Sequence, residues 1–365
     1  MSRSEIGASE ERMFFAAANS GRGFVSFYGE VFDRPEIRRR YIIKGGPGTG
    51  KSGFMRRVAR AAELAGHGVR CYRCASDPDS LDAVVVDGTL AVLDGTAPHT
   101  VEPRAVGARD EIVNLGAFWD GEALARHYEE IEALDREKSR CYRRAYRYLS
   151  ASTDLWEINH ALILPYLRPV KMRASVGRLL SEIPEGKGFD LLPTLQSAIG
   201  MRGRVRSESY RSEAKRVYAV EDFLGMGWLL LSEVIDLMRR KNQPLLVSYH
   251  PLVPDRPDAV LLRESGICFL LRSGEGEESD GRIRMRRFLD PAIPSEVKVE
   301  YRTNRRISDG LVEGAREALH KAGEAHGALE QIYGSCMDFL RLDGFTRGFC
   351  VRLFGSDGDP SSQLG

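Results

Sequence analysis

The chain has 365 residues, which is enough for two domains with their own cores. Its formal net charge of +1 gives no overall attraction to polyanions, so we expect no nucleic-acid partner. No apolar run approaches the ~20 residues of a membrane span, and the first residues lack the apolar core of a secretory signal. We therefore expect a cytoplasmic protein without a membrane partner, whose six cysteines are reduced.

The strongest motif in the sequence is Gly45-x4-Gly50-Lys51-Ser52. An apolar, β-branched run at 40–44 precedes it and an amphipathic stretch follows it, which predicts the strand, loop and helix of a phosphate-binding P-loop. Glycines let successive N–H groups converge on one point, and the helix N-terminus adds its positive dipole end. The predicted nucleotide-binding residues are Gly45, Gly46, Pro47, Gly48, Thr49, Gly50, Lys51, Ser52 and Gly53.

Two residues of this loop and one aspartate predict the cofactors. Lys51 would reach the β- and γ-phosphates of ATP, and the Ser52 hydroxyl would bind Mg²⁺. The apolar run at 89–93 ends in Asp94, as a Walker B strand does, so Asp94 is expected to hold Mg²⁺ beside Ser52. We assign catalytic roles to Lys51 and Asp94. The alternative for Asp94-Gly95 is an ordinary turn after a strand.

A cluster of three carboxylates supplies further candidates for chemistry. The segment 76–82 follows a strand predicted at 69–73, and open α/β sheets bind ligands at the carboxyl ends of their strands. It could position a second substrate or the attacking water, and the candidate bases are Asp77, Asp79 and Asp82. The competing interpretation is a short helix that starts at Pro78, with Ser76 or Asp79 as its cap.

Two residues beyond Asp94 are also catalytic candidates. Many ATPases keep a water-orienting glutamate directly after the Walker B aspartate, and here none follows. His99 and Glu102 stand a few residues later, where each could reach a γ-phosphate or a metal-bound water. Ordinary loop roles are the alternative for both.

The second half of the chain repeats the order of the first without its functional residues. Equivalent positions that keep their residue are Tyr41 with Tyr218, Gly48 with Gly225, and Gly50 with Gly227. Equivalent positions that change are Lys51 with Trp228, Ser52 with Leu229, and Asp94 with Leu271. Asp222 in place of Gly45 would repel phosphate, so the second loop is expected not to bind ATP.

This repeat predicts the fold class. We expect an α/β protein with two tandem P-loop NTPase-like domains, each a three-layer α/β/α unit with a mainly parallel sheet, the second with a degenerate P-loop. The domains should cover 10–175 and 190–360, with flexible tails at 1–9 and 361–365. Such related halves can pack as an intramolecular pseudo-dimer; the sequence does not give the oligomeric state.

The charged stretch 121–150 predicts one long polar helix, along one side of which arginines recur at helical spacing: Arg136, Arg140, Arg143, Arg144 and Arg147. They could close over nucleotide phosphates, dock on the opposite half, or form a solvated face paired with nearby glutamates. A second run, at 202–206, could donate an arginine across the interface between the halves.

Four segments together carry a family resemblance: KGGPGTGKS at 44–52, SDPDSLD at 76–82, VLDGTAPH at 92–99 and DEIVNLG at 110–116. They resemble an uncharacterised family of duplicated P-loop ATPase-like proteins, found chiefly in spore-forming Gram-positive bacteria. The resemblance implies an α/β P-loop fold in each half and ATP binding at 45–52. It implies no substrate.

The expected function is that of a Mg²⁺-dependent ATP-binding protein, an ATPase that acts as a switch or regulator through its first half. One alternative is a small-molecule or nucleotide kinase, with an acceptor held near 77–82. The other is a nucleotide sensor without turnover. The nucleotide is the expected ligand, and an unidentified protein partner or small-molecule acceptor completes each hypothesis.

Overall fold

The fold is described from a computed structural model that covers residues 13–272, 279–356 and 358. The predicted tails, 1–9 and 361–365, lie outside the described residues. Each half of the chain builds one six-stranded mixed sheet, so the α/β class is confirmed. No helix in the described part of the chain is long and apolar enough to cross a membrane.

The two halves contain the same strands and α-helices in the same order, except that the short helix Gly121–Arg126 has no counterpart among the described residues of the second half. The first half consists of β1 (Met13–Phe15), β2 (Ala17–Ser20), β3 (Gly23–Ser26), α1 (Tyr28–Phe32), β4 (Arg39–Lys44), α2 (Lys51–Leu64), β5 (Val69–Arg73), β6 (Leu81–Val86), β7 (Leu90–Asp94), β8 (Asp110–Asn114), α3 (Gly121–Arg126), α4 (Tyr128–Ile163) and α5 (Pro169–Leu179). The second half consists of β9 (Leu191–Thr194), β10 (Ser197–Gly200), β11 (Gly203–Arg206), α6 (Ser209–Ser212), β12 (Arg216–Glu221), α7 (Gly227–Arg240), β13 (Leu245–Tyr249), β14 (Pro257–Leu262), β15 (Ile267–Arg272), β16 (Gly281–Arg284), α8 (Ser295–Ser335) and α9 (Phe339–Phe354). Short 3-10 helices lie at Leu115–Phe118, Leu164–Tyr166 and Met285–Phe288.

The strand order is also duplicated. The first sheet runs β1-β5-β6-β7-β4-β8, and the second runs β9-β13-β14-β15-β12-β16. In the first sheet β1–β5, β4–β7 and β4–β8 are parallel, whereas β6 is antiparallel to both neighbours. The second sheet repeats these directions. The predicted duplication is therefore present in the topology.

Contacts between the halves come in reciprocal pairs. Phe15 and Leu195 exchange two backbone hydrogen bonds of 2.9 and 2.8 Å. Gly21 N donates to Leu252 O at 3.1 Å, and its counterpart Met201 N donates to Ser76 O at 2.9 Å. Two ion pairs follow the same rule, Arg22 with Asp255 and Arg202 with Asp79. The halves are thus related by a pseudo-twofold axis, as expected for an intramolecular pseudo-dimer.

The layer order differs from the predicted three layers in each half. Residues of α2 and α9 cover the outer face of the first sheet, and residues of α5 and α7 cover that of the second. The inner faces of both sheets share one further core, to which Ile42 and Leu93 contribute from one side and Leu261 and Leu270 from the other. Every residue of β6 and β14 is buried, so each sheet needs cover on both faces. The order is therefore helix, sheet, sheet, helix.

The last helix of each half packs on the other half. From the second half, α9 packs against α2 through the rings of Phe345 and Phe349 on Phe54. From the first half, α5 packs against α7 in the same way, with Met172 and Val176 in the second core. Between these ends, α4 and α8 run antiparallel, with Ser152 against Ser308.

Two local predictions need correction. The stretch 121–150 forms two helices, because α3 ends at Arg126 and α4 begins at Tyr128 and continues to Ile163. No helix starts at Pro78 in this described segment: 74–80 is a turn, in which Asp77 accepts hydrogen bonds from Asp79 N and Ser80 Oγ. An aspartate that bonds the backbone two residues later favours this turn over a helix.

A buried ion pair joins β4 to the edge strand β8. Arg40 and Asp110 are register partners, and the guanidinium makes two hydrogen bonds of 2.7 Å to the carboxylate. Their side chains are 5% and 0% exposed. The bonds from Arg40 hold the pKa of Asp110 well below its usual range. The pair therefore stabilises the fold fully at neutral pH, and this contribution is lost only as the pH falls below about 4.

We expect Asp110→Asn to lower the free energy of unfolding by about 1.5–3 kcal/mol, because Arg40 loses its charged hydrogen bonds to Asp110 and keeps only Asp33, at 3.0 Å, as an ionic partner. Chemical denaturation at neutral pH measures the change. The control is Glu111→Gln, which weakens the pair between Glu111 and Arg39, whose side chains are 34% and 32% exposed. That change should cost at most about 1 kcal/mol. Equal losses in both variants would contradict the assigned role of Asp110.

Candidate functional site

The glycine loop lies between β4 and α2, at the carboxyl end of β4. Gly48 and Gly50 have φ values of +66° and +80°, which side chains with a Cβ rarely adopt. Gly50 is the N-cap residue of α2, a helix of 14 residues. The loop therefore brings backbone N–H groups and a helix N-terminus to one place, as an anion site requires.

Lys51 extends back beneath this loop. Its Nζ donates to the carbonyl oxygens of Gly45 and Gly46, at 3.1 and 2.9 Å, and lies 3.6 Å from Oδ2 of Asp94. The side chains of Lys51 and Asp94 are 16% and 13% exposed, so the charges are partly screened from water. The geometry brings these two predicted residues together because β4 and β7 are adjacent parallel strands.

Asp94 takes part in a turn as well as in the site. Its Oδ1 accepts hydrogen bonds from the N and Oγ1 of Thr96, at 2.8 and 2.6 Å. Its Oδ2 is the atom that faces Lys51. One carboxylate oxygen therefore belongs to the turn, and the other faces the glycine loop. Each of the two interpretations of Asp94-Gly95 is consistent with one of these contacts.

Ser52 and Asp94 are the two residues that could hold Mg²⁺. Ser52 Oγ accepts a hydrogen bond from Leu81 N at 3.1 Å, which ties the first turn of α2 to the segment 76–82. Among the described residues there is no group of three or more His, Cys, Asp or Glu that could hold a metal ion. A hydroxyl and one carboxylate still fit Mg²⁺, which usually takes one or two protein ligands and completes its shell with phosphate and water oxygens.

The structure also brings together the predicted residues Asp82 and His99. His99 Nε2 lies 3.0 Å from Asp82 Oδ2, and the two side chains are 5% and 7% exposed. The His99 ring stacks on Tyr28, with centroids 4.1 Å apart, and Phe24 meets it edge-on. Burial raises the pKa of Tyr28 well above its usual value, and the charges of Asp82 and Asp94 act in the same direction. The pair is therefore close to the glycine loop but enclosed by aromatic rings.

The remaining candidates have partners away from Lys51. Glu102 accepts a 2.7 Å hydrogen bond from Lys44 Nζ, which also donates to the carbonyls of Gly95 and Val101. This fixes the loop that follows β7. Asp77 serves the turn described above, and Asp79 pairs with Arg202 of the second half.

Sequence reasoning missed the residues that cover the loop. A Cβ on Gly46 would lie 2.8 Å from the Tyr333 ring, and one on Gly48 would lie 2.4 Å from the backbone oxygen of Glu330. Both contacts come from the last turns of α8, in the second half. Nothing in the charged sequence of α8 indicates this placement. The only signal is the glycines themselves, which permit the close approach.

The corresponding loop of the second half contains its own anion. Asp222 Oδ1 accepts a 2.7 Å hydrogen bond from Gly227 N, at the start of α7. Burial raises the pKa of Asp222, although the N–H groups of Gly227, Phe223 and Met226 favour its charged form. A carboxylate thus uses the amides that a phosphate would need. Trp228, in place of Lys51, packs against His160 with ring centroids 5.3 Å apart.

Three of the five arginines predicted to line α4 have local partners. Arg136 pairs with Glu132, Arg140 with Glu137, and the guanidinium of Arg144 lies over the Tyr148 ring. These contacts favour the self-paired interpretation of this helix. Arg202 does cross to the first half, but its counterpart Arg22 makes the same contact with Asp255 of the second half. Because both halves have this ion pair, its role in the interface between the halves is sufficient to explain it, and no catalytic role for Arg202 is needed.

No family model, curated protein or solved structure matches this chain. The family resemblance of its motifs therefore stays a prediction. The functional assignment rests on the geometry of the glycine loop and on the residues around it.

We expect Arg202→Ala and Arg22→Ala to lower stability by the same small amount, at most about 1 kcal/mol, because all four side chains of these pairs are more than half exposed. Urea denaturation of the two variants measures this. Any ATP hydrolysis should change by less than about threefold in Arg202→Ala. A loss of about 10³-fold would instead make Arg202 an arginine finger.

Proposed function

We propose that the protein binds ATP with Mg²⁺ at the glycine loop 45–52 and hydrolyses it slowly, as a switch controlled by its second half. The observation that carries this proposal is the position of Lys51. Its ammonium group lies beneath the loop, bonded to Gly45 and Gly46 and 3.6 Å from Asp94. A partly buried ammonium beside converging amides has the chemistry to bind a polyphosphate.

The same arrangement supports phosphoryl transfer as well as binding. Such reactions need alignment and compensation of charge on the phosphoryl oxygens rather than covalent help from the protein. Lys51 and the N–H groups of the loop and of α2 supply fixed positive charge at one point. Ser52 and Asp94 would hold Mg²⁺, which when bound would neutralise further charge on the phosphates.

Features of the second half favour a regulatory role for that half. Asp222 takes up the amides of the second loop, and an indole stands where a lysine is needed. The same half places Glu330 and Tyr333 on the working loop. A half without a free phosphate site, but in contact with the other one, fits a switch with a single nucleotide.

A kinase is the second candidate, because one contact favours it. Asp82 and His99 bring a carboxylate and an imidazole to 3.0 Å, the residue types of a base and its orienting group, although Asp82 Oδ2 accepts no hydrogen bond from any described residue. The pair adjoins Leu81, whose N–H binds Ser52. Its exposure of 5–7% leaves no open approach for an acceptor hydroxyl, so hydrolysis is the better supported reaction.

The test is an assay with γ-labelled ATP on the wild type, Lys51→Ala and Trp228→Phe. Because a charged hydrogen bond contributes about 1.5–3 kcal/mol, Lys51→Ala should weaken Mg²⁺–ATP binding by about 10-fold or more and abolish phosphate release. Trp228→Phe, the control at the equivalent position, should leave both unchanged. ATP affinity that is equal in Lys51→Ala and wild type would refute the site.

The same assay distinguishes the candidate reactions. Labelled inorganic phosphate as the product identifies an ATPase. Label that moves to an acceptor from a panel of small alcohols, sugars and nucleosides identifies a kinase. Tight binding that depends on Lys51, with no product of either kind, identifies a sensor.

A further inference from the structure

The end of α8 lies directly on the glycine loop. A Cβ added to Gly48 would meet the backbone of Glu330, at 2.4 Å from its oxygen and 2.9 Å from its Cα. A Cβ on Gly46 would meet the ring of Tyr333, and one on Gly50 would lie 2.9 Å from Leu342 of α9. Three glycines of the loop are therefore packed against residues that the second half supplies.

The side chain of Glu330 is directed to the same loop. Its backbone packs on Gly48, and its carboxylate lies close enough to the Gly48 N–H and to Lys51 for both to lower its pKa. His326, one turn earlier on α8, has its Nε2 3.6 Å from the carboxylate. His326 lowers the pKa of Glu330 most, followed by Lys51 and Gly48, which keeps the carboxylate charged. A carboxylate thus lies on the glycine loop, near Lys51.

A phosphate group would need this same position. An anion-binding loop offers its N–H groups and its lysine to one negative group at a time, because two adjacent anions repel each other. In the second loop, Asp222 already occupies a loop N–H group, and it cannot leave because it is part of the loop itself. Glu330 comes from another element, and its side chain is 46% exposed, so it has space to move away.

We propose that Glu330 is a built-in competitor for phosphate, which occupies the anion position of the glycine loop and has to leave when nucleotide binds. This inference rests on the proposed function of the loop. Departure of Glu330 would loosen the end of α8 from Gly48. Nucleotide binding would therefore be coupled to α8, the helix that packs along α4 between the halves.

The duplicated half supplies a comparison. Asp120 N donates to Cys336 O, and its counterpart Asp290 N donates to Tyr166 O. Glu330 precedes Cys336 by the same number of residues as His160 precedes Tyr166. His160 therefore holds the equivalent place over the second loop, against Trp228. The helix over the loop belongs to the common architecture, whereas the carboxylate beside a lysine belongs only to the first loop.

The test compares Glu330→Gln with Glu324→Gln by calorimetric titration with Mg²⁺–ATP. Glu324 is a matched control, because it also faces a histidine one turn earlier on α8, with His320 Nε2 at 3.9 Å. Removal of the competing charge should tighten ATP binding by about 3- to 10-fold in Glu330→Gln, the effect of one partly exposed ion pair. Glu324→Gln should bind as the wild type does.

An affinity in Glu330→Gln that is equal to or weaker than that of the wild type overturns the competition, provided that Lys51→Ala weakens ATP binding as expected. If neither the wild type nor any variant binds ATP, the proposed function fails first, and the competition fails with it. Hydrogen exchange without nucleotide tests the contact itself. Amides of 45–50 should exchange faster in Glu330→Ala than in Glu324→Ala, and equal rates would refute the contact.

Discussion

The rest of the structure depends on the burial of both faces of each sheet. Every residue of β6 and β14 is buried, and alternate residues along the strands point into different cores. The helices α2, α5, α7 and α9 cover the outer faces. Each inner face is therefore shielded from water by the other half, through a shared core that includes Ile42 and Leu261. Neither half can lose the other without exposing this surface, which explains why a half with a degenerate loop is still needed.

The same pairing determines what surrounds the glycine loop. Because the last helix of each half packs on the opposite half, α9 adjoins α2 and the end of α8 reaches the loop. Backbone hydrogen bonds hold this junction to the first half, from Asp120 N to Cys336 O and from Asp338 N to Phe118 O. The candidate site is thus built by both halves. Lys51 comes from the first half and Glu330 from the second, and the attraction between their charges acts across the interface between the halves.

Local patterns in the sequence predicted the local structure well. The loop at 45–52, the strand at 69–73 and an aspartate at the end of β7 all follow from short-range rules of sterics and periodicity. The duplication was also visible in the sequence, since the shared order of strands and helices survives the loss of individual residues. Contacts between residues that are distant in the sequence could not be predicted. Asp82 and His99 were chosen separately, and nothing in their spacing predicted contact. The layer order and the place of Glu330 depend on how the halves pack, which a pattern within one half does not encode.

The central claim is that a duplicated molecule keeps one phosphate site, because Asp222 fills the second loop and Trp228 stands in place of a lysine. The most direct test is the stoichiometry of Mg²⁺–ATP binding, measured by equilibrium dialysis of the full chain at saturating nucleotide. The account predicts one ATP for each chain, with the affinity for that ATP weakened about 10-fold or more in Lys51→Ala. Two bound nucleotides for each chain, or one that binds equally tightly without Lys51, would contradict it.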